Sequence, residues 1–280
     1  MKNKFLGLHL SGANSERSAL VAMEKNIDNQ YVISEIHEKI GSFGSVFSDD
    51  RLVHLIQHIS PNETIFVDAP LSAPPCVVCT REVCPGAVKC DDLSVAYLLS
   101  ITETHREQKK PKKKRPLNPQ AHRVWDALNM LGECGGLEPT YTSNKAPLAI
   151  RAKTLQKRLK HISNCSYSLK ETAILNSLIK LAGLFNEIES DVRMYRSFEN
   201  GYEVRLDFLR QLDSLSWISL TETNIQTFAT KLPVFNAFIC SLVAMLDYNK
   251  LTILPPKNFE LENQWVYIPE IQSNIGTCLK

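Results

Sequence analysis

Along the chain, strand-like alternation comes first and helical periodicity takes over later. Residues 4–10 (KFLGLHL), 18–24 (SALVAME) and 31–36 (YVISEI) are short and rich in β-formers, and the turn-like stretches SGANSER and KNIDNQ separate them. This pattern predicts three strands in an antiparallel meander. Residues 48–59 (SDDRLVHLIQHI) set Leu52, Leu55, Ile56 and Ile59 at helical spacing behind Ser48, a residue suited to capping. A short apolar run, Ile65, Phe66 and Val67, then ends in Asp68. The predicted order is strand, strand, strand, helix, strand.

Beyond residue 91 the pattern is mainly helical. Helices are predicted over 93–101, over 119–132 with Pro119 at a first helical position, and over 146–161. A helix from Ser168 or Leu169 to Phe185 carries a stripe of Ile174, Leu175, Leu178, Ile179, Ala182 and Phe185. Two more cover 203–215 and 233–247, the second with Phe235, Phe238, Ile239, Leu242, Val243 and Leu246 on one face. Trp265, Val266, Tyr267 and Ile268 read as a last strand, and there is no internal repeat. The expected organisation is one α/β domain over residues 1–280, with a loop at 72–91 and a largely helical insertion from about 91 to 232.

Composition changes this picture little. The chain has 280 residues, 44% of them apolar, and a net charge of +2, which suits a globular domain. No run of apolar residues is long enough to span a membrane. The N-terminal MKNKFLGLHLSG is too short in its apolar part to be a signal-peptide core, so it reads as a first strand and the expected location is cytoplasmic.

Cysteine placement adds chemistry. Cys76, Cys79, Cys84 and Cys90 follow the spacing C-x2-C-x4-C-x5-C. In a reducing compartment clustered thiols favour metal ligation over disulfides. The expectation is a structural Zn²⁺ knot, with a [4Fe–4S] cluster as the alternative. Cys134, Cys165, Cys240 and Cys278 are scattered, and Cys240 reads as core packing. Residues 109–115 read KKPKKKR. Lys109, Lys110, Lys112, Lys113, Lys114 and Arg115 form either a solvated loop or an arm that tracks nucleic-acid phosphates, with a log–log salt slope of about −0.9 per phosphate contacted on a duplex. Arg123 follows, either reaching a phosphate or pairing with Asp126 on its own helix.

FLGLHLSG at the start, IFVDAPL, NPQAHRVWDAL, SNKAPLAIRA, KETAILNSL, GYEVRLDFLRQL, and FNAFICSLVA followed by WVYIP near the end together resemble the domain-of-unknown-function 429 family, regarded as predicted nucleases with a ribonuclease H-like fold. The resemblance implies three antiparallel strands, a crossover helix and a parallel strand, and a site of acidic residues holding Mg²⁺ or Mn²⁺. On that pattern Asp68 and Glu171 are the metal-holding carboxylates. The chain departs from it at His9 and Asn236, where family members usually carry Asp. His9 then serves as a third ligand or a general base, and Asn236 orients a water or the substrate. Each position has a plainer reading: a turn cap for Asp68, a hydrogen-bonded core residue for His9, a helix N-cap for Asn236, and a helix-dipole partner in a first turn for Glu171. Unit charges about 4 Å apart interact by roughly 4 kcal/mol at an effective dielectric near 20, so replacing two carboxylates weakens the hold on paired cations. The expected function is metal-dependent phosphodiester hydrolysis. A nucleic-acid binder without hydrolysis and a small-molecule phosphoester enzyme are the alternatives.

Overall fold

The computed structural model describes residues 4–12, 17–40, 48–59, 64–108, 117–126, 145–162, 166–185, 191–254 and 265–270. Within them the chain is mixed α/β, built on one seven-stranded sheet. The strands are β1 (Lys4–His9), β2 (Ser18–Lys25), β3 (Tyr31–Ile40), β4 (Thr64–Val67), β5 (Ser168–Thr172), β6 (Ile218–Ser219) and β7 (Val266–Tyr267), in the order β6-β3-β2-β1-β4-β5-β7. β1, β2 and β3 form the antiparallel meander, while β4 runs parallel to β1, β5 to β4, β7 to β5 and β6 to β3.

Period-two alternation divides β1 between two layers. Leu6 and Leu8 face a core built with α1 (Ser48–Ile59) and α4 (Lys145–Lys160), where Leu52, Ile56, Leu155 and Leu159 are buried. Arg151 of α4 ties this layer together by donating to Asp49 of α1 and to the backbone carbonyl of Ser11. Phe5 faces the larger core, formed with α5 (Ile174–Ala182), α6 (Gly201–Asp213), α7 (Glu222–Thr230) and α8 (Leu232–Tyr248). Every residue of α8 from Val234 to Leu246 is buried. A Cβ placed on Gly7 would stand 2.1 Å from both the Ala237 carbonyl oxygen and the Ser241 amide nitrogen. Glycine at this position therefore lets the α8 backbone lie directly on β1. A four-residue helix, α2 (Pro75–Val78), and the longer α3 (Leu93–Gln108) follow β4. No single helix among the described residues is long and apolar enough to cross a membrane.

Two expectations are corrected. The helix proposed from residue 168 begins only at Ile174, and residues 168–172 are strand β5. Parallel pairing with β4, Ile65 to Leu169 and Val67 to Glu171, outweighs a backward extension of the helix, because strand preference is set by cross-strand packing. The segment 91–232, expected to be largely helical, also contributes β5 and β6 to the sheet. Asn236 is not a helix cap either. The helix begins at Leu232 with Pro233 in its first turn, so Asn236 lies inside it, 2% exposed.

Candidate functional site

Alternation that buries Leu6 and Leu8 on one face turns Gly7 and His9 toward α8. The register Leu8 to Val67 then sets His9 beside Asp68, the residue that follows β4. His9 Nδ1 donates to Asp68 Oδ2 at 2.7 Å, with the side chains 19% and 6% exposed. An ionised carboxylate only accepts, so the proton sits on Nδ1. The Asn236 amide nitrogen is placed 3.4 Å from the same Nδ1. A nitrogen that donates to Asp68 cannot accept that bond, so the amide packs against the ring without a hydrogen bond to it. Asn236 Oδ1 is buried with no hydrogen-bond partner among the described residues. Asp68 Oδ1 remains buried with no hydrogen-bond partner among the described residues.

Glu171 goes elsewhere. It is in register with Val67, so it leaves the sheet on the face opposite Asp68. Both of its oxygens are occupied. Arg123 donates to Oε2 at 2.8 Å and to Oε1 at 2.9 Å, and the Leu71 amide donates to Oε2 at 2.9 Å. Arg123 also donates to Asp126 and to the Ser72 hydroxyl. Burial alone would lower the Arg123 pKa, but the charges of Glu171 and Asp126 outweigh it and the net shift is upward. The guanidinium is thus a fixed cation inside a buried cluster, and Glu171 is on strand β5, not in the first turn of a helix.

Both carboxylates reach the wall of one cleft of about 370 Å³ at this end of the sheet, which Lys145, Arg193, Tyr195 and Arg196 also line. The Arg196 guanidinium lies 5.0 Å from the Tyr195 ring centroid. It sits over the ring and lies close enough to act on the hydroxyl, yet that hydroxyl is buried without a hydrogen bond of normal geometry among the described residues. Burial raises the Tyr195 pKa, the Arg196 charge opposes this and the Asp68 charge adds to it, so the phenol stays protonated. Beneath Asp68, burial and the Asp68 charge likewise push the Cys240 thiol well up, and Cys240 is core as expected.

The structure therefore unites His9, Asp68 and Asn236 and separates Glu171 from them. Lys145, Arg193, Tyr195 and Arg196 were not singled out by sequence reasoning. The available signal was the run DVRMYR at 191–196, where arginines interleave with an aromatic residue between two helices. Lys109, Lys110, Lys112, Lys113, Lys114 and Arg115 lie outside the described residues. Arg123 is 5% exposed and committed to its two acidic partners. Among the described residues no three His, Cys, Asp or Glu side chains already form a metal-holding group. In the cleft the donor set does not fit a pair of hard cations, because Glu171 is neutralised and one oxygen of Asp68 is held by His9. Cys76, Cys79, Cys84 and Cys90 are free thiols, two half-buried and two exposed.

No family model, no curated protein and no solved structure matches this chain.

Proposed function

We propose that this chain is a phosphodiester hydrolase on a ribonuclease H-like scaffold, a nuclease in which Asp68 is the reacting group. The core strand order β3-β2-β1-β4-β5, with the first three antiparallel, agrees with the fold that the resemblance implies. The observation that carries the reading is the state of Asp68: one oxygen held by His9 at 2.7 Å, the other buried and unpartnered among the described residues, on a cleft wall shared with Lys145, Arg193 and Arg196.

That geometry supports general-base chemistry. Arg193 and Arg196 attract the phosphate, and guanidinium groups match its oxygens in pairs. Asp68 Oδ1 accepts a proton from the attacking water as the new P–O bond forms, the P–O bond to the leaving oxygen breaks, and that oxygen takes a proton from solvent. His9 fixes the carboxylate through its 2.7 Å hydrogen bond, and Asn236 packs against the ring. Tyr195, kept protonated, donates to a non-bridging phosphate oxygen. His9 and Asn236 are positioning residues in this scheme. A second reading, binding of the same polyanion without hydrolysis, is favoured by the neutralisation of Glu171.

Labelled single- and double-stranded DNA and RNA incubated with the protein in Mg²⁺, Mn²⁺ or EDTA test the proposal. The expected result is cleavage that persists in EDTA and falls by about 10²-fold or more in Asp68→Ala. Cleavage unchanged by that substitution removes Asp68 from the chemistry. Salt-sensitive binding with no cleavage in any metal condition leaves the second reading standing.

A further inference from the structure

The segment from Pro75 to Ser94 contains no buried residue. Its helix α2 and the 3₁₀ turn Ala87–Lys89 bury nothing, and Val77, Val78, Val83 and Val88 are 50%, 49%, 81% and 89% exposed. Yet the segment has defined turns. Gly86, at φ +82°, takes a conformation that favours glycine, and the Lys89 and Cys90 amides close onto the Gly86 and Ala87 carbonyls. A stretch this long that holds its shape without apolar burial requires another source of cohesion, since fixing each residue costs about 1–2 kcal/mol of backbone entropy. Short modules without a core use disulfides or a metal for this purpose. Its four cysteines are unpaired, and those at 79, 84 and 90 lie near enough to Cys76 to act on its thiol electrostatically.

We propose that Cys76, Cys79, Cys84 and Cys90 bind one Zn²⁺ as a closed tetrahedral thiolate site, and that this knot holds up the wall of the cleft. Four soft sulfur donors suit Zn²⁺, and with all four positions filled by protein the ion is structural. The thiols are not already in a ligating arrangement. Closing onto the ion takes side-chain rotation, which no packing opposes at the exposed Cys79 and Cys84, and ligation energy then acts as folding energy for the segment. One bond from inside the knot and two from Leu71 and Ser72, just before it, join it to the cleft. The Cys76 amide donates to the Pro119 carbonyl, Ser72 accepts from Arg123, and the Leu71 amide donates to Glu171. Ordering residues 75–94 therefore fixes the 117–126 segment from which Arg123 reaches Glu171. None of this depends on whether Asp68 hydrolyses anything.

Elemental analysis of the freshly purified full chain tests the ion. About one equivalent of zinc per chain is expected, falling to background in Cys79→Ser/Cys84→Ser. Zinc-free protein, or zinc unaffected by that double variant, overturns the site. Iron with a brown colour overturns the assignment to zinc. Should the double variant not fold, a thiol-directed mercurial added to the wild-type chain replaces it. Stoichiometric zinc release as four thiols react supports the site, and reaction of the thiols with no zinc released sinks it. Hydrogen exchange before and after release tests the coupling. At least tenfold faster exchange in 75–94 and also in 117–126, with β1–β3 unchanged, is expected. Unchanged exchange in 117–126 overturns the link to the cleft wall.

Discussion

Asp68 and Glu171 sit on neighbouring strands at the same end of the sheet and line the same cleft, yet they are treated in opposite ways. Glu171 is saturated. Its two oxygens take three donors, its charge is cancelled by Arg123, and Asp126 completes a cluster that is almost wholly buried. Asp68 is left half-served, with His9 on one oxygen and nothing on the other among the described residues. Beside it the Tyr195 hydroxyl is also buried without a hydrogen bond of normal geometry among them. A buried polar group without a partner costs about 1–3 kcal/mol, so folding alone gives no reason to keep two of them together. One cluster is satisfied as a structural clamp, and the other is the one to which the proposed chemistry is assigned. Position at the strand end does not separate these roles, whereas the satisfaction of each polar atom does.

Removing a member of the clamp gives the largest effect on stability. Arg123→Ala leaves two carboxylates in a dry site, and a loss of about 3–5 kcal/mol in chemical denaturation is expected. Converting all three members to apolar residues of similar volume should recover most of it, because a buried ion cluster is worth little over good packing. If Arg123→Ala costs under about 1 kcal/mol, the cluster is hydrated and the contrast with Asp68 fails. Gly7→Ala follows, with an expected loss of about 3 kcal/mol. The new methyl would meet α8 backbone at 2.1 Å on two sides. Because Asn236 rides on that helix, this variant should also displace its amide from His9.

The contrast between the two clusters was only half legible in the chain. Alternation in 4–10, 18–24 and 31–36 marked the meander, and the helical stripe at 48–59 marked α1, because each element has one clean buried face. Asp68 was legible for the same reason, as a charge closing an apolar run. β6, two residues long, is too short to carry a period. β5 was hidden because the helix of the α5 stripe was carried back to residue 168, although Leu169 falls on the face opposite that stripe, and only the partner strand reveals that Glu171 points away from Asp68. The bond from Arg123 to Glu171 spans 48 positions and has no local signal. Asn236 looked like a cap because asparagine is favoured at helix N-termini, although the predicted helix over 233–247 already enclosed it.

His9→Asn tests the reactive cluster at a smaller scale. The ring touches Asp68 at 2.7 Å and is partly exposed, so stability should change by less than about 1 kcal/mol. Hydrolysis should fall by about 10²-fold through kcat, as expected for loss of positioning, with KM little changed. A rise in KM alone would show that His9 binds substrate directly and does not orient the carboxylate.

Tyr195→Phe gives the smallest effect and the finest test of whether the second unpartnered group is real. If the hydroxyl has no partner, its removal at pH 7 should be neutral or stabilising by up to about 1 kcal/mol. The pH dependence adds a sign. Burial chiefly, with the Asp68 charge adding and Arg196 opposing, raises this phenol above its ordinary pKa of 10.0. The folded chain then keeps the proton after the unfolded chain has begun to lose it. Wild-type stability from this group is complete below pH 10 and declines as pH rises from there toward the raised folded-state value, by at most about 1.4 kcal/mol per pH unit. Tyr31 is raised too, mainly by burial, but wild type and variant share that component, so their difference isolates Tyr195. The variant should therefore gain on the wild type above pH 10 in urea titrations. A variant that is less stable at pH 7 and shows no widening gap would mean that the hydroxyl is hydrogen-bonded in solution. Asp68 would then be the sole unsatisfied group in the cleft, and the case for a prepared phosphate site would rest on that carboxylate and its neighbouring arginines.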